Sequence, residues 1–172
     1  KINIINSGRS PIIEDFVNDY IASAVKNQLM RATSDSKSAV LDSSVSIVCV
    51  GTPSADDGST SLIYIKKVIS EIAEALRNKT EPHTVIIRST IPPETMEKVV
   101  IPILREAKND VGICFNPEFL REGCAVKDYN NPPYVIVAVN NENTENVLRE
   151  IYQNIEAEFI VTDFKTAEIL KV

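Results

Sequence analysis

Residues 84–104, Thr-Val-Ile-Ile-Arg-Ser-Thr-Ile-Pro-Pro-Glu-Thr-Met-Glu-Lys-Val-Val-Ile-Pro-Ile-Leu, change periodicity halfway through. Thr84–Ile87 is an unbroken apolar and β-branched run, too short for a helix, and has the pattern of a strand covered on both faces. Met96–Leu104 instead sets Met96, Val99, Val100, Ile103 and Leu104 on one stripe at helical spacing. Pro102 falls inside that pattern and predicts a kink or a fresh turn. A covered strand, a Ser-Thr-Ile-Pro-Pro loop and an amphipathic helix make half of a crossover unit, which points to a parallel sheet in an α/β fold.

The pattern repeats on both sides. Further apolar runs at Val45–Val50, Val111–Phe115, Tyr134–Val139 and Glu158–Val161 predict four more strands, and a weaker sixth is expected at Leu29–Ala32. Ile63–Leu76 carries Ile65, Val68, Ile69, Ile72 and Leu76 on one helical face, and Thr144–Ile155 predicts another helix. The expected architecture is α/β, with a doubly wound and mostly parallel sheet. No repeat or linker-like stretch interrupts residues 1–172, so one domain is the economical count. In such sheets ligands collect at the carboxyl ends of the strands. Here those ends carry Gly51-Thr52-Pro53, Ser89-Thr90 and Asn116-Pro117-Glu118-Phe119-Leu120-Arg121-Glu122-Gly123.

A chain of 172 residues, 44% hydrophobic and 24% charged, has the composition of a globular domain with a real core. Its net charge of -6 argues against a broad nucleic-acid or anionic-membrane surface. No apolar stretch approaches the ~20 residues of a membrane span and no signal segment opens the chain, which predicts a cytoplasmic protein. Three cysteines without C-x-x-C spacing suggest neither a disulfide framework nor a metal site. Cys49 and Cys114 lie in apolar runs and are expected to be buried thiols. The chain opens on Lys1 and closes on Leu170-Lys171-Val172 within an apparent helix start, so both ends look cut.

Each candidate has a plain reading beside its functional one. Gly51-Thr52-Pro53 is either a strand-ending turn or a place where a ligand approaches the backbone and the Thr52 hydroxyl. Thr90 either caps its own helix or belongs to an anion-attracting helix start. If the residues after Pro117 make a helical turn, Glu118 and Glu122 share a face, and repulsion raises one pKa; otherwise they are a solvated pair partly neutralised by Arg121. His83, the one histidine, reads as a loop or strand-edge residue. Cys124 reads as a space-filling residue with no base to activate it, and Asp56-Asp57 as a solvated loop.

Taken in order, VCVGTPS, HTVIIRSTIPPET, VVIP, NPEFLREG and AVKDYNNPP resemble the nucleotide-sugar 6-dehydrogenases, the family of UDP-glucose and GDP-mannose dehydrogenases. The resemblance runs from Lys1 to Val172, and the opening KINIINSGRSPIIE is similar to the family segment after the second strand of its dinucleotide fold. It implies a Rossmann-like NAD-binding domain lacking its first two strands, and an enzyme that oxidises a sugar C6 alcohol to a carboxylate. That oxidation proceeds through two hydride transfers to NAD and a thioester on a cysteine. Matched by motif, Lys1, Thr52, Thr90 and Glu122 would meet the cofactor. Glu118, Phe119, Leu120, Arg121 and Lys171 would border the nucleotide sugar. Glu118, Glu122, Thr90 and Lys171 would serve the chemistry, with Lys171 steadying a developing oxyanion.

The departures are specific. Ser61 stands where the family usually has aspartate, and Glu94 replaces a common glycine. The phosphate-cradling G-x-G-x-x-G does not occur, and none of the three cysteines matches the family nucleophile. These absences predict a piece inactive alone and an unpaired edge along Val45–Val50. HTVIIRST, VVIP and KDYNNPP are closer to the GDP-mannose branch than to the UDP-glucose branch. A truncated paralogue acting as a binding or assembly module is the other-class alternative. The resemblance also implies a homo-oligomeric full-length protein, with no metal.

Overall fold

A computed structural model describes residues 1–54, 58, 60–108 and 110–171, so Asp56-Asp57 lies outside the described residues. Two compact units are present, one formed by Lys1–Asp35 with Phe119–Pro132 and a larger one by Ser36–Glu118 with Pro133–Val172.

The larger unit is an α/β sheet in the order β1 (Val45–Val48), β2 (Thr84–Ile87), β3 (Gly112–Phe115), β4 (Tyr134–Val139), β5 (Glu158–Thr162). All neighbours are parallel except β3 and β4, which meet antiparallel with Cys114 opposite Val139. Helix α4 (Ile63–Leu76) crosses from β1 to β2, and a helical stretch ending in α5 (Ile101–Ala107) crosses from β2 to β3. Between β3 and β4 the chain runs instead through residues of the smaller unit, so β4 enters without a crossover helix.

Alternation along the strands divides the core between two faces. Val85, Ile87, Ile113, Phe115, Ile136 and Ala138 pack with Ile65, Ile69 and Leu76 of α4. Ile86, Cys114, Val135 and Val137 pack with Leu148 and Tyr152, from helix α7 (Glu142–Ile151) and its carboxyl end. Each fully buried Ile or Leu contributes about 1.5–3 kcal/mol. Double coverage is why the sequence shows continuous apolar runs rather than alternation.

Pro102 acts as its position predicts. The helix opens as a π-helical turn, Met96–Val100, and α5 begins anew with the proline in its first turn. The helix expected at Thr144–Ile155 instead runs Glu142–Ile151, because the Asn141 side chain caps it by accepting the Thr144 amide at 2.9 Å. Helices α3 (Ser36–Leu41) and α8 (Phe164–Lys171) complete the unit. Among the described residues β1 pairs only with β2, and Ile47 on it is 52% exposed.

The smaller unit holds α1 (Ile2–Asn6), α2 (Val17–Lys26) and α6 (Ala125–Asn130), none with a buried residue. The strand expected at Leu29–Ala32 does not form. Among the described residues no ladder partner runs beside it, and Ala32 bonds both ways to the Asn6 side chain instead. Glu14 binds this unit together, its carboxylate accepting the amides of Gly123 and Ala125, each at 2.8 Å.

Candidate functional site

In the larger unit the carboxyl ends of β1, β2 and β3 bring three loops to one end of a parallel sheet. Gly51 is exposed, and a Cβ built on it would meet no atom within 4 Å, so the backbone there is open to a ligand. Thr52 is half-buried and Thr90 exposed. The Ser89 hydroxyl donates to the Val50 carbonyl at 2.7 Å and ties the first loop to the second.

Thr90 does not cap the following helix. The anion at that helix start is the chain's own Glu168, whose carboxylate accepts the Glu94 amide at 2.6 Å and the Met96 amide at 2.7 Å. Burial pushes the Glu168 pKa up, and the two amides pull it down. Glu94 has a φ of 70°, the left-handed region that glycine tolerates and glutamate does not. The glycine that Glu94 replaces would suit this turn without strain.

The third loop starts from a buried lock. Asn116 donates from Nδ2 to the Ile136 carbonyl at 2.8 Å, and its Oδ1 accepts from Arg88 Nη1 at 2.7 Å and from the Tyr152 hydroxyl at 2.6 Å. Arg88 also donates to the Tyr152 oxygen. Two residues on, Glu118 is held by Lys171 of α8: the ammonium lies 3.0 Å from Glu118 Oε1 and also donates to the Glu118 backbone carbonyl. Residues Asn116 to Arg121 are not helical, so Glu118 and Glu122 do not share a helical face. They belong to different compact units.

Cys49 is exposed rather than buried, because β1 is an edge strand that ends at Val48. Partial burial raises its pKa, the Arg88 charge opposes this, and the Glu118 charge adds to it. Cys114 is buried and its thiol is pushed far up by desolvation. His83 is a buried structural residue whose Nδ1 donates to the Ser43 carbonyl at 3.0 Å and whose Nε2 lies 2.8 Å from the Ser46 hydroxyl.

In the smaller unit Arg121 does not neutralise the glutamates. Its guanidinium grips Asp128 through two nitrogens, at 2.8 and 3.0 Å, and holds that carboxyl down at about 2. Glu122 is exposed in the turn before Gly123, and Lys1 is exposed ahead of α1. Leu120 lines an apolar groove of about 440 Å³ with Tyr20, Val126 and Tyr129, and Phe119 is exposed. Cys124 is exposed before α6 rather than filling space. The larger unit thus joins Glu118 to Lys171 and sets Thr52 and Thr90 on neighbouring strand ends. Lys1 and Phe119 through Glu122 lie in the smaller unit.

Sequence reasoning missed Arg88, Asn116, Tyr152 and Glu168. A buried polar residue at a strand end was the available signal for Asn116. Glu168 had only its place one turn before Lys171.

The open Gly51 backbone and the accessible hydroxyls of Thr52 and Thr90 leave room and hydrogen-bonding groups for a ligand at the ends of β1 and β2. Among the described residues no cluster of three or more metal-ligating side chains occurs, and no helix is long and apolar enough to cross a membrane.

A family model described as the UDP-glucose/GDP-mannose dehydrogenase family, NAD binding domain, matches residues 1–156. The chain is 42% identical to a GDP-mannose 6-dehydrogenase of Pseudomonas aeruginosa, the alignment covering 99% of this chain and 40% of that protein. It is 32% identical to a UDP-glucose 6-dehydrogenase of Rickettsia felis, over 99% of this chain and 38% of that one. Among solved structures, a ternary complex of a Pseudomonas aeruginosa GDP-mannose dehydrogenase superposes with a TM-score of 0.96 at 41% identity, covering 99% of this chain and 40% of that one. The chain therefore spans about 40% of the length of the relatives it matches.

Proposed function

Because the chain belongs to the UDP-glucose/GDP-mannose dehydrogenase family and matches its NAD-binding domain, we propose that it is the cofactor-side part of a nucleotide-sugar 6-dehydrogenase acting on GDP-mannose. The observation that carries this reading is the Lys171–Glu118 pair at the end of β3, on the same sheet end as Thr52 and Thr90. Oxidising a C6 alcohol to a carboxylate removes two hydrides, takes up one water and releases three protons. NAD supplies the hydride acceptor, once for each transfer.

The chain's own residues bind, orient and move protons. In the larger unit the hydroxyls of Thr52 and Thr90 hold the cofactor. Glu118 accepts a proton from the alcohol or from water. Lys171 has a second use as the fixed positive charge beside an oxygen that becomes anionic. Phe119, Leu120 and Arg121 border the sugar nucleotide, where Arg121 is held rigid by Asp128.

The higher identity to GDP-mannose dehydrogenases, 42% against 32%, favours that substrate over UDP-glucose. The test is NADH formation by the complete protein containing this domain, with either nucleotide sugar. Activity with UDP-glucose and none with GDP-mannose would overturn the substrate assignment. The 172-residue chain alone is expected to turn over neither, since it contains no G-x-G-x-x-G cradle for the pyrophosphate.

A further inference from the structure

Helix α8 touches two loops of the larger unit at once. Glu168 bridges the amides of Glu94 and Met96, at 2.6 and 2.7 Å, and one turn later Lys171 binds the carboxylate and main-chain carbonyl of Glu118. Glu168 is fully buried at 0% exposure, and both its oxygens are taken by main-chain donors from a turn 72 residues earlier in the chain.

A local cap would satisfy those amides at less cost. Ser or Asn at the helix start accepts one such bond while staying near solvent, whereas a buried carboxylate carries a desolvation penalty that only its hydrogen bonds offset. What the remote carboxylate adds is a tie between elements. It fixes the Glu94–Met96 turn, and hence the loop leading back to Thr90, to the helix that grips Glu118. The nearby charges fit this role: Lys98 pairs with Glu94 and Lys165 with Glu97, and among the described residues no ion pair neutralises Glu168. The carboxylates of Glu94 and Glu97 and its own burial raise its pKa, while the two amides lower it.

We propose that Glu168 is a positioning residue of the site: α8 acts as a two-armed clamp, with Glu168 setting the Thr90 loop and Lys171 setting Glu118, so that the two keep a fixed relation. This deepens the proposed function and rests on its assignment of Thr90 and Glu118. Glu168 itself meets neither substrate nor cofactor.

The test is heteronuclear NMR on the labelled 172-residue chain. In the wild type the Glu94 and Met96 amide protons should lie downfield, and the Thr90 amide should follow the Glu168 carboxyl carbon through its titration rather than those of Glu94 or Glu97. In Glu168→Gln the Glu94 and Met96 amides should move upfield and the Thr90 and Glu118 resonances should shift with them. Lys171→Met should move Glu118 and leave Glu94 and Met96 in place. If Glu168→Gln moves only Glu94 and Met96, Glu168 is a helix cap and nothing more, and the proposal fails. If that variant does not fold, the wild-type titration decides, and a Thr90 amide that ignores Glu168 overturns the clamp. Addition of NAD to the complete protein containing this domain tests the underlying reading separately: a Thr90 amide that tracks Glu168 in the 172-residue chain but ignores NAD in the complete protein supports the clamp and removes Thr90 from the cofactor site.

Discussion

Lys171 closes on Glu118 across 53 residues of sequence, its ammonium 3.0 Å from the carboxylate and bonded as well to the carbonyl of the same residue. One cation therefore fixes both the side chain and the main chain of the glutamate that follows β3. Both partners are mostly buried, at 17% and 29% side-chain exposure, so the pair is shielded from the screening that makes surface bridges weak.

Replacing Lys171 with Met should cost about 1–2 kcal/mol, because Glu118 loses the ammonium's bonds to both its carboxylate and its carbonyl. Glu118→Gln should cost less, since the Lys171–carbonyl bond survives. Urea unfolding of the two single variants and the double variant measures the coupling, and additive losses would show that the pair is energetically idle.

Glu94→Gly should stabilise the chain. It removes a side chain from a φ of 70° and sacrifices only an exposed bridge to Lys98. A rise in Tm of roughly 2–4 °C is expected for a domain of this size. Glu94→Ala, which keeps the left-handed strain, should not reproduce it.

Gly112→Ala should do the opposite. Its Cβ would fall 2.5 Å from Thr84 Oγ1 and 2.8 Å from Thr144 Oγ1, closer than real Cβ atoms approach. Overpacking of this kind costs about 1–3 kcal/mol. Thr84→Ala in the same chain should recover part of the loss, which calorimetry of the single and double variants would detect.

His83 makes stability depend on pH. Burial lowers its pKa below 6.5 despite the bond to the Ser43 carbonyl, so the unfolded chain binds the proton more readily. Stability from this group is complete above about pH 6.5 and declines as pH falls toward the folded pKa. Urea midpoints between about pH 7 and pH 5 should fall for the wild type and stay flatter for His83→Gln. The depressed carboxyls of Asp128 and Asp163 act only at lower pH.

The sheet was legible because its strands are covered twice. Thr84–Ile87 and Tyr134–Val139 match their apolar runs residue for residue, and α4 matches its stripe. The helices of the smaller unit were not: α1 and α6 are only 5 and 6 residues long, and α1, α2 and α6 bury no residue that would mark a core face. Leu29–Ala32 has the residues of a strand but no ladder to join. For the candidate site, motif and position singled out Thr52, Thr90, Glu118 and Lys171, of which the structure pairs Glu118 with Lys171. The Arg88–Asn116–Tyr152 lock and Glu168 depend on contacts between distant segments, which local patterns do not encode.

The smaller unit is assembled from Lys1–Asp35 and Phe119–Pro132, with much of the larger unit intervening in sequence. On a ribosome its first piece emerges long before its second. Until Gly123 and Ala125 are synthesised, Glu14 has neither of their amides to accept. The segment Lys1–Asp35 must therefore wait for Phe119–Pro132, while the strands between them in sequence begin to pair.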